Sequence, residues 1–223
     1  MAFTLPGAAD RTVIIGQTGS GKTILGGWLL SRQRFDKRPW VAITFKDEPL
    51  WNLVGDPPMR DLRLGAMPGK RGLYRMDVHP GQDDELEEWL WKIWERENVG
   101  IFVDEVSLMP RKSGLKAILR QGRSKLIPVI ACTQRPVDCD REVFSEAQYR
   151  ALFGLEDARD YQVIKGLFGN RDLRDEAERL QRHWSIWWDA KERQLSTLKP
   201  CPSPATVAAD LKAVVPYSWF LGG

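Results

Sequence analysis

Residues 16–23 read Gly-Gln-Thr-Gly-Ser-Gly-Lys-Thr, which is a complete G-x-x-x-x-G-K-[ST] phosphate-binding loop. The apolar run Thr12–Ile15 precedes this loop, and a helical pattern with Ile24, Leu25 and Trp28–Leu30 follows it. A strand before the loop and a helix after it are the context in which the motif binds phosphate. The stretch therefore predicts a site for a nucleoside triphosphate, ATP, together with its Mg²⁺ ion.

Each residue type in the loop has a physical reason. Glycines at 16, 19 and 21 let the backbone bend tightly, so that its N–H groups converge on the phosphates. The helix that follows directs its positive end to the same place. Lys22 can reach the β- and γ-phosphates, and the hydroxyl of Thr23 can bind the metal. We expect the nucleotide contacts to come from Gly16, Gln17, Thr18, Gly19, Ser20, Gly21, Lys22, Thr23 and Ile24.

Two carboxylates follow a second apolar run, Ile101–Val103. We expect Asp104 to hold Mg²⁺ beside Thr23, and Glu105 to orient and partly deprotonate the attacking water near the γ-phosphate. The pair favours hydrolysis over phosphoryl transfer to a metabolite, because nothing in the sequence marks an acceptor pocket. A small-molecule kinase or a nucleotide-binding regulator stays a less favoured alternative.

An uncharged amide ends the next apolar run, in the stretch Thr133-Gln134-Arg135-Pro136. An amide at this place would lie between the γ-phosphate and the neighbouring loop. Gln134 can then report whether phosphate is present by a hydrogen bond made in one nucleotide state only.

Strand and helix patterns alternate along the chain, which predicts an α/β fold with a mostly parallel sheet covered by helices. The predicted strands are 12–16, 40–45, 101–105, 127–132 and 151–155, and the predicted helices are 22–33, 83–97, 113–122, 141–149 and 157–168. Residues 55–82 are expected to be irregular, with one short strand near 73–76. Residues 184–198 predict a C-terminal β-hairpin, followed by a loop and a short helix.

Length and composition exclude several classes of protein. The 223 residues suit one domain with a full α/β core. No apolar run approaches the roughly 20 residues of a membrane-spanning helix, and Met1–Asp10 lacks the pattern of a secretory signal. The three cysteines are odd in number and form no C-x-x-C pair, which argues against a disulfide framework or a zinc site.

The three blocks together resemble the FtsK–HerA superfamily of P-loop ATPases. The matching segments are G-Q-T-G-S-G-K-T, I-F-V-D-E and I-A-C-T-Q-R-P, with weaker matches at 42–48, where the usual Asp-Pro-Lys-Gly form is altered, and at 151–159. Membrane anchors and accessory domains are typical of the cellular and conjugative members. A bare motor domain of this size is most similar to the genome-packaging ATPases of tectivirus-type, membrane-containing viruses.

The resemblance implies a single RecA/FtsK-like motor domain over 1–223, with its core at about 12–168 and an extension at about 169–223. It implies an ATP-driven translocase that packages double-stranded DNA into a preformed capsid. It also implies a ring, expected to have six subunits, that acts in the host cytoplasm and at the packaging vertex with capsid or portal proteins. Another nucleic-acid motor of the superfamily, for plasmid mobilisation or single-strand phage assembly, is the alternative.

A basic stretch, Arg111–Lys125, contains no acidic residue. Lys112, Lys116, Arg120 and Arg123 fall on one stripe of a helix, which predicts a purely cationic face. Members of the superfamily commonly place an arginine here that reaches a neighbouring subunit's γ-phosphate, so Arg123 is the first candidate for this trans-acting finger and Arg120 the second. Arg135 and Arg150 are weaker candidates. A DNA-facing stripe or a solvated helix face are the alternatives.

Two further segments each have more than one possible role. The basic residues of 55–82 either supply DNA-contacting loops or belong to a surface excursion; they are Arg60, Arg63, Lys70, Arg71 and Arg75. The apolar end of the tail, Trp219–Leu221, either covers the base, packs on a neighbour or attaches to a capsid vertex.

Overall fold

The computed structural model describes residues 4–169 and 171–215. The strands are β1 Arg11–Ile15, β2 Pro39–Thr44, β3 Met59–Asp61, β4 Gly72–Asp77, β5 Gly100–Val103, β6 Val129–Thr133, β7 Tyr149–Leu152, β8 Ser185–Asp189 and β9 Gln194–Leu198. The helices are α1 Lys22–Leu30, α2 Pro49–Val54, α3 Asp83–Arg96, α4 Ser113–Gln121, α5 Glu142–Ser145, α6 Ala158–Ile164, α7 Arg174–Glu178 and α8 Pro204–Val214.

The strands form one sheet in the order β3-β4-β2-β5-β6-β1-β7-β8-β9. All pairs among β1–β7 are parallel. Strand β8 pairs antiparallel with β7, and β9 pairs antiparallel with β8. This arrangement confirms the predicted mostly parallel sheet and the C-terminal β-hairpin. The hairpin does not stand apart from the core, because β8 extends the sheet beyond β7.

Alternate residues of the central strands fill the two faces of the sheet. Along β1, Val13 and Ile15 point into the core covered by α3 and α4, whereas Ile14 points into the core covered by α1, α2 and α8. Because both faces are covered, β1, β2, β5 and β6 are buried at every position. Continuous apolar strands of this kind are expected in a parallel sheet.

Three chain segments that carry polar motifs meet at the carboxyl ends of the central parallel strands. The phosphate loop follows β1, Asp104 and Glu105 follow β5, and Gln134 follows β6. Strand β6 lies between β5 and β1, and the register pairs Ile15 with Thr133 and Val103 with Ala131. The carboxyl ends of these strands thus bring together residues that are far apart in sequence. Open α/β sheets bind their ligands at these ends.

Several predicted elements were wrong in detail. Residues 55–82 contain two strands instead of one, since β3 and β4 extend the sheet beyond β2. Residues 141–149 are not one helix, because α5 ends at Ser145 and Tyr149 already begins β7. The short helices α2 and α7 were not predicted, since six and five residues carry too little periodicity to recognise.

The last described helix packs against the first. A methyl group at Gly27 in α1 would lie 2.4 Å from Leu50 and 3.4 Å from Val207, so the absence of a side chain there lets α1, α2 and α8 approach closely. Arg32, which follows α1, pairs with Asp210 of α8 at 2.8 Å. The predicted loop and helix after the hairpin are therefore present as 199–203 and α8, while Trp219–Leu221 lie outside the described residues.

Candidate active site

The phosphate loop is fixed to both neighbouring strands. The N–H of Gly16 donates to the carbonyl of Thr133 at 3.1 Å, and the N–H of Gln17 donates to the carbonyl of Gly154 at 3.2 Å. A Cβ at position 16 would lie 2.6 Å from Cβ of Phe153, so this close approach requires glycine. Gly21 precedes α1 with a φ of 106°, a left-handed conformation that glycine adopts without strain. The loop is thereby bent so that α1 starts at Lys22.

Lys22 lies at the start of α1 and is 8% exposed. Its ammonium group donates to the carbonyl of Gln17 at 2.8 Å, inside the loop. Burial lowers the pKa of Lys22, while the nearby Cys132 and the carboxylates of Glu105 and Asp104 raise it again. A compact cation thus lies within the loop whose backbone bends around the predicted phosphate position.

Asp104 and Thr23 form a pair suited to a divalent cation. The Thr23 hydroxyl donates to Oδ1 of Asp104 at 2.9 Å, whereas Oδ2 is buried without a hydrogen-bond partner. Burial raises the pKa of Asp104, and the hydrogen bond from Thr23 opposes this rise. An unsatisfied buried carboxylate oxygen is costly unless a cation accompanies it, so these two residues fit a metal ion.

The described residues contain no cluster of three or more histidine, cysteine, aspartate or glutamate side chains that could hold a metal by themselves. Magnesium commonly binds through one or two protein ligands, substrate phosphates and water. Thr23 and Asp104 therefore fit the predicted Mg²⁺ ion, bound together with a nucleotide.

Glu105 is buried, with 3% of its surface exposed, and still lines the cavity beside the loop. Its Oε1 accepts a hydrogen bond from the Ser107 hydroxyl at 2.6 Å. The backbone N–H of Gln134 is shared between the two carboxylate oxygens, at 3.1 Å from Oε2 and 3.3 Å from Oε1. The carboxylate is thus held by groups from its own strand end and from the next strand.

Gln134 connects this carboxylate with the phosphate loop. Its side-chain oxygen accepts a hydrogen bond from the Thr18 hydroxyl, and its backbone N–H donates to Glu105. The structure places Gln134 between the phosphate loop and Glu105, which follows β5. Its predicted contact with a γ-phosphate stays a prediction. A change of the loop at Thr18 can reach Glu105 through this one residue.

A cavity of about 460 Å³ extends from the phosphate loop to the C-terminal part of the chain. Part of its lining comes from Gly19, Gly21–Leu25, Asp104 and Glu105, and the remainder from the C-terminal half of the chain, with Phe153, His183, Ser185 and 199–204. Lys46 and Glu48 also line it, and burial together with the charge of Asp104 raises the pKa of Glu48. A volume of this size falls in the range of ligand pockets.

The part of the cavity lining that comes from 183–204 was not predicted. Nδ1 of His183 lies 3.1 Å from the carbonyl oxygen of Ser20, so a residue just before β8 contacts the phosphate loop. The segment 199–204 reads Lys-Pro-Cys-Pro-Ser-Pro and passes over the cavity before α8 begins. The clustered prolines were the only sequence signal for a rigid segment here, and they do not indicate what it covers.

The prediction of a purely cationic face on the helix after Asp-Glu was wrong. Helix α4 ends at Gln121, so Lys112 and Arg123 flank it instead of lying on its stripe. The other basic side chains meet acids from different elements. The pairs are Arg111–Asp138, Lys112–Asp84, Lys116–Asp140, Arg120–Glu142 and Lys125–Glu97. Arg123 is exposed and makes no ion pair with a described residue.

The two weaker finger candidates also have partners within the chain. Arg150 is buried in β7, and its guanidinium donates to the carbonyls of Phe144 at 3.0 Å and Leu167 at 2.6 Å. Arg135 lies 3.8–3.9 Å from the carboxylates of Asp138, Asp157 and Asp160. Arg150 is thereby excluded as a group that reaches a neighbouring subunit, because its guanidinium is enclosed.

No protein-family model matches the chain. The fold is similar to that of the genome packaging NTPase B204 from Sulfolobus turreted icosahedral virus 2 in complex with AMPPCP. That similarity has a TM-score of 0.66 and 14% identity, and it covers 88% of this chain and 100% of that chain. VirB4 of Thermoanaerobacter pseudethanolicus has a TM-score of 0.69 at 10% identity, over 87% of this chain and 90% of that chain. At such identities the likeness establishes the fold alone.

A curated relative is similar in sequence as well. The DNA packaging ATPase P9 of Enterobacteria phage PRD1 is 33% identical over an alignment of 218 residues, and the match covers 94% of this chain and 95% of the relative. Among the residues that the structure describes, no helix is both long and apolar enough to span a bilayer. The predicted resemblance to viral genome-packaging ATPases is confirmed by the sequence match, and the chain belongs to the family of the DNA packaging ATPase P9.

Proposed function

We propose that this chain is an Mg²⁺-dependent ATP hydrolase whose turnover drives double-stranded DNA into a preformed viral capsid. The observation that carries the proposal is that the phosphate loop, Asp104 and Glu105 line one cavity, with Gln134 hydrogen-bonded to both Thr18 of the loop and Glu105, in a chain of the P9 family. Family membership favours packaging over the other motors of the superfamily and over a metabolite kinase.

The proposed roles follow from the contacts. Residues 16–24 bind the phosphates through backbone N–H groups, and Lys22 neutralises the β- and γ-phosphates. Thr23 and Asp104 hold Mg²⁺, which supplies charge neutralisation on the phosphates. Glu105 accepts a proton from the attacking water, and Gln134 senses the nucleotide state through Thr18. The segment 199–204 and His183 surround the nucleoside.

The active form is proposed to be a ring of six copies, with residues 1–223 of each acting as one motor domain. Arg123 is the proposed trans-acting finger, because it is exposed and unpaired within the described part of the chain, whereas Arg120 is paired with Glu142. Hydrolysis in one subunit changes the contact at Gln134 and withdraws the neighbour's finger. The resulting rigid-body shift moves the DNA.

The proposed partner is double-stranded DNA, held through its phosphates without sequence preference. The basic residues near β3 and β4 contribute only in part, because Arg75 already pairs with Asp77 at 2.7 Å and donates to Asn52 at 3.1 Å. The ring is proposed to work between the host cytoplasm and the packaging vertex, docked on capsid or portal proteins.

Steady-state ATP hydrolysis tests the proposal directly. The full chain should hydrolyse ATP only with Mg²⁺, and long duplex DNA should stimulate it more than single strands or small metabolites do. The Glu105→Gln variant should bind ATP as tightly as the original chain and lose turnover. Undiminished turnover in that variant would remove Glu105 from its role, and stimulation by a metabolite instead of DNA would contradict the packaging motor.

A further inference from the structure

We propose that Ser107 is a positioning residue for Glu105, whose hydroxyl determines which carboxylate oxygen stays available to the attacking water. The inference rests on the proposed role of Glu105 in activating that water. It concerns a residue outside the phosphate loop, the carboxylate pair and the glutamine that the sequence motifs identify.

The backbone after β5 explains why Ser107 reaches back to Glu105. Glu105 itself is extended, with φ −144° and ψ 93°, and a short 3-10 turn over Val106–Leu108 follows. The N–H of Leu108 donates to the carbonyl of Glu105 at 3.1 Å, which closes this turn. The turn reverses the chain so that the Ser107 hydroxyl lies 2.6 Å from Oε1 of Glu105.

The hydrogen bonds to Glu105 do not treat its two oxygens equally. The N–H of Gln134 is shared almost evenly, at 3.1 Å from Oε2 and 3.3 Å from Oε1, so it does not select one oxygen. The short bond from Ser107 goes to Oε1 only. A carboxylate offers about four acceptor positions, so Oε1 is occupied by two donors while Oε2 keeps a position for water.

Burial makes this bond consequential. Glu105 is 3% exposed, so without the Ser107 hydroxyl its Oε1 keeps only the shared N–H of Gln134, and the loss of a donor in a buried site carries a desolvation cost. The carboxylate would then rotate, which changes the distances of its two oxygens from the N–H of Gln134. Because Glu105 lines the cavity, such a rotation changes how the oxygens are presented to it.

Ser107 acts through Glu105 and not on the nucleotide. Among the described residues, those that line the 460 Å³ cavity include Glu105 but not Ser107. Removing the hydroxyl should therefore leave ATP binding intact and slow the chemical step. This pattern, a lower kcat at an unchanged KM, distinguishes a positioning role from a general loss of structure.

The test compares Ser107→Ala, Ser107→Thr and Ser124→Ala in the full chain, under identical Mg²⁺, ATP and duplex DNA concentrations. Ser124 is the control because its hydroxyl donates to the carbonyl of Gln121, on the surface after α4. We expect Ser107→Ala to lower kcat about tenfold, as for a hydrogen bond to a charged group, with the KM for ATP unchanged. Ser107→Thr, which keeps the hydroxyl, should restore most of kcat, and Ser124→Ala should behave as the original chain.

Three results would overturn the inference. They are a normal kcat in Ser107→Ala, an equally low kcat in Ser107→Thr, and a rise in KM that accounts for the whole loss. Glu105→Gln measured in parallel separates this inference from the proposed function. If Glu105→Gln retains turnover, the role of Glu105 itself fails; if it is inactive while Ser107→Ala is normal, only the role of Ser107 fails.

Discussion

The two ends of the nucleotide cavity are built from different kinds of sequence. The phosphate end comes from one contiguous loop and from residues that directly follow two neighbouring strands. The rest of the lining, here called the nucleoside end, comes from His183, Ser185 and the proline-rich segment 199–204, which carry no recognisable motif. His183 also contacts the carbonyl of Ser20 in the loop. Charge chemistry restricts the first end to few residue types, whereas the second needs only surfaces that fit a nucleoside.

Because they are built differently, the two ends should respond differently to substitution. Substitutions at the phosphate end should act on the chemical step, because charge develops there in the transition state. Substitutions at the nucleoside end should weaken ground-state and transition-state binding alike, which raises KM and leaves kcat unchanged.

Replacing Arg123 with alanine should lower kcat by about 10³-fold, since a trans-acting arginine contributes at least that much in related chemistry. The reason is that Arg123 of one subunit is proposed to complete the phosphate end of the neighbouring subunit. Mixing Arg123→Ala chains with Glu105→Gln chains should restore activity, because the second can lend its arginine to the first. ATP hydrolysis across mixing ratios measures this, and no recovery at any ratio would count against a shared site.

Replacing Lys22 with alanine should lower turnover by about 10²–10³-fold, as for the loss of one preorganised group at a developing charge. Lys165 offers a control, because it is exposed and pairs with Asp172 at 3.4 Å, away from the cavity. Lys165→Ala should retain turnover. Equal losses in both variants would show that the phosphate end does not depend on its buried lysine.

Replacing His183 with asparagine should raise the KM for ATP about threefold to tenfold and leave kcat unchanged, because one polar contact and ring surface are lost. Asparagine suits the position, since His183 has a φ of 66° and asparagine tolerates left-handed backbone. The chain's other histidine, His79, provides the control His79→Asn. A fall in kcat without a change in KM would break the proposed division between the two ends.

ATP should slow the alkylation of Cys201 about twofold or more, because this thiol lines the nucleoside end and a bound ligand restricts access to it. Burial raises the pKa of Cys201 to about 11 and that of Cys139 to about 12, so both should react slowly at neutral pH, where little thiolate is present. Cys139 lies outside the cavity lining and serves as the internal control. Mass-spectrometric labelling rates measure both, and equal protection of the two would contradict a local effect.

The sequence predicted that the phosphate loop, the carboxylate pair and Gln134 each follow an apolar strand, because these motifs are local and their strand context is strong, and the strands are present. The parallel sheet and the hairpin were predicted for the same reason, from long apolar strands with clear periodicity. The nucleoside end was not predictable, since His183 reaches the loop only because β8 joins the sheet next to β7. That pairing is decided by tertiary packing and not by any local pattern.

The basic stretch around α4 shows a second limit. Within Arg111–Lys125 the absence of acids suggested an uncompensated positive face, yet the compensating acids lie elsewhere in the chain. Asp84 comes from α3, Asp138 and Asp140 follow β6, and Glu142 begins α5. Charge pairing across elements cannot be seen in a sequence window. Arg123 differs from these neighbours only in its lack of such a partner among the described residues.

The contact of α8 with α1 and α2 has a mechanical consequence. The segment 199–204 passes over the cavity and continues into α8, whose Val207 packs against Gly27 of the helix that starts at Lys22. A force on α8 would therefore act on the same helix that begins at Lys22 of the phosphate loop. A displacement of the phosphate loop and a force on α8 would be transmitted through the same contact, between Gly27 and Val207.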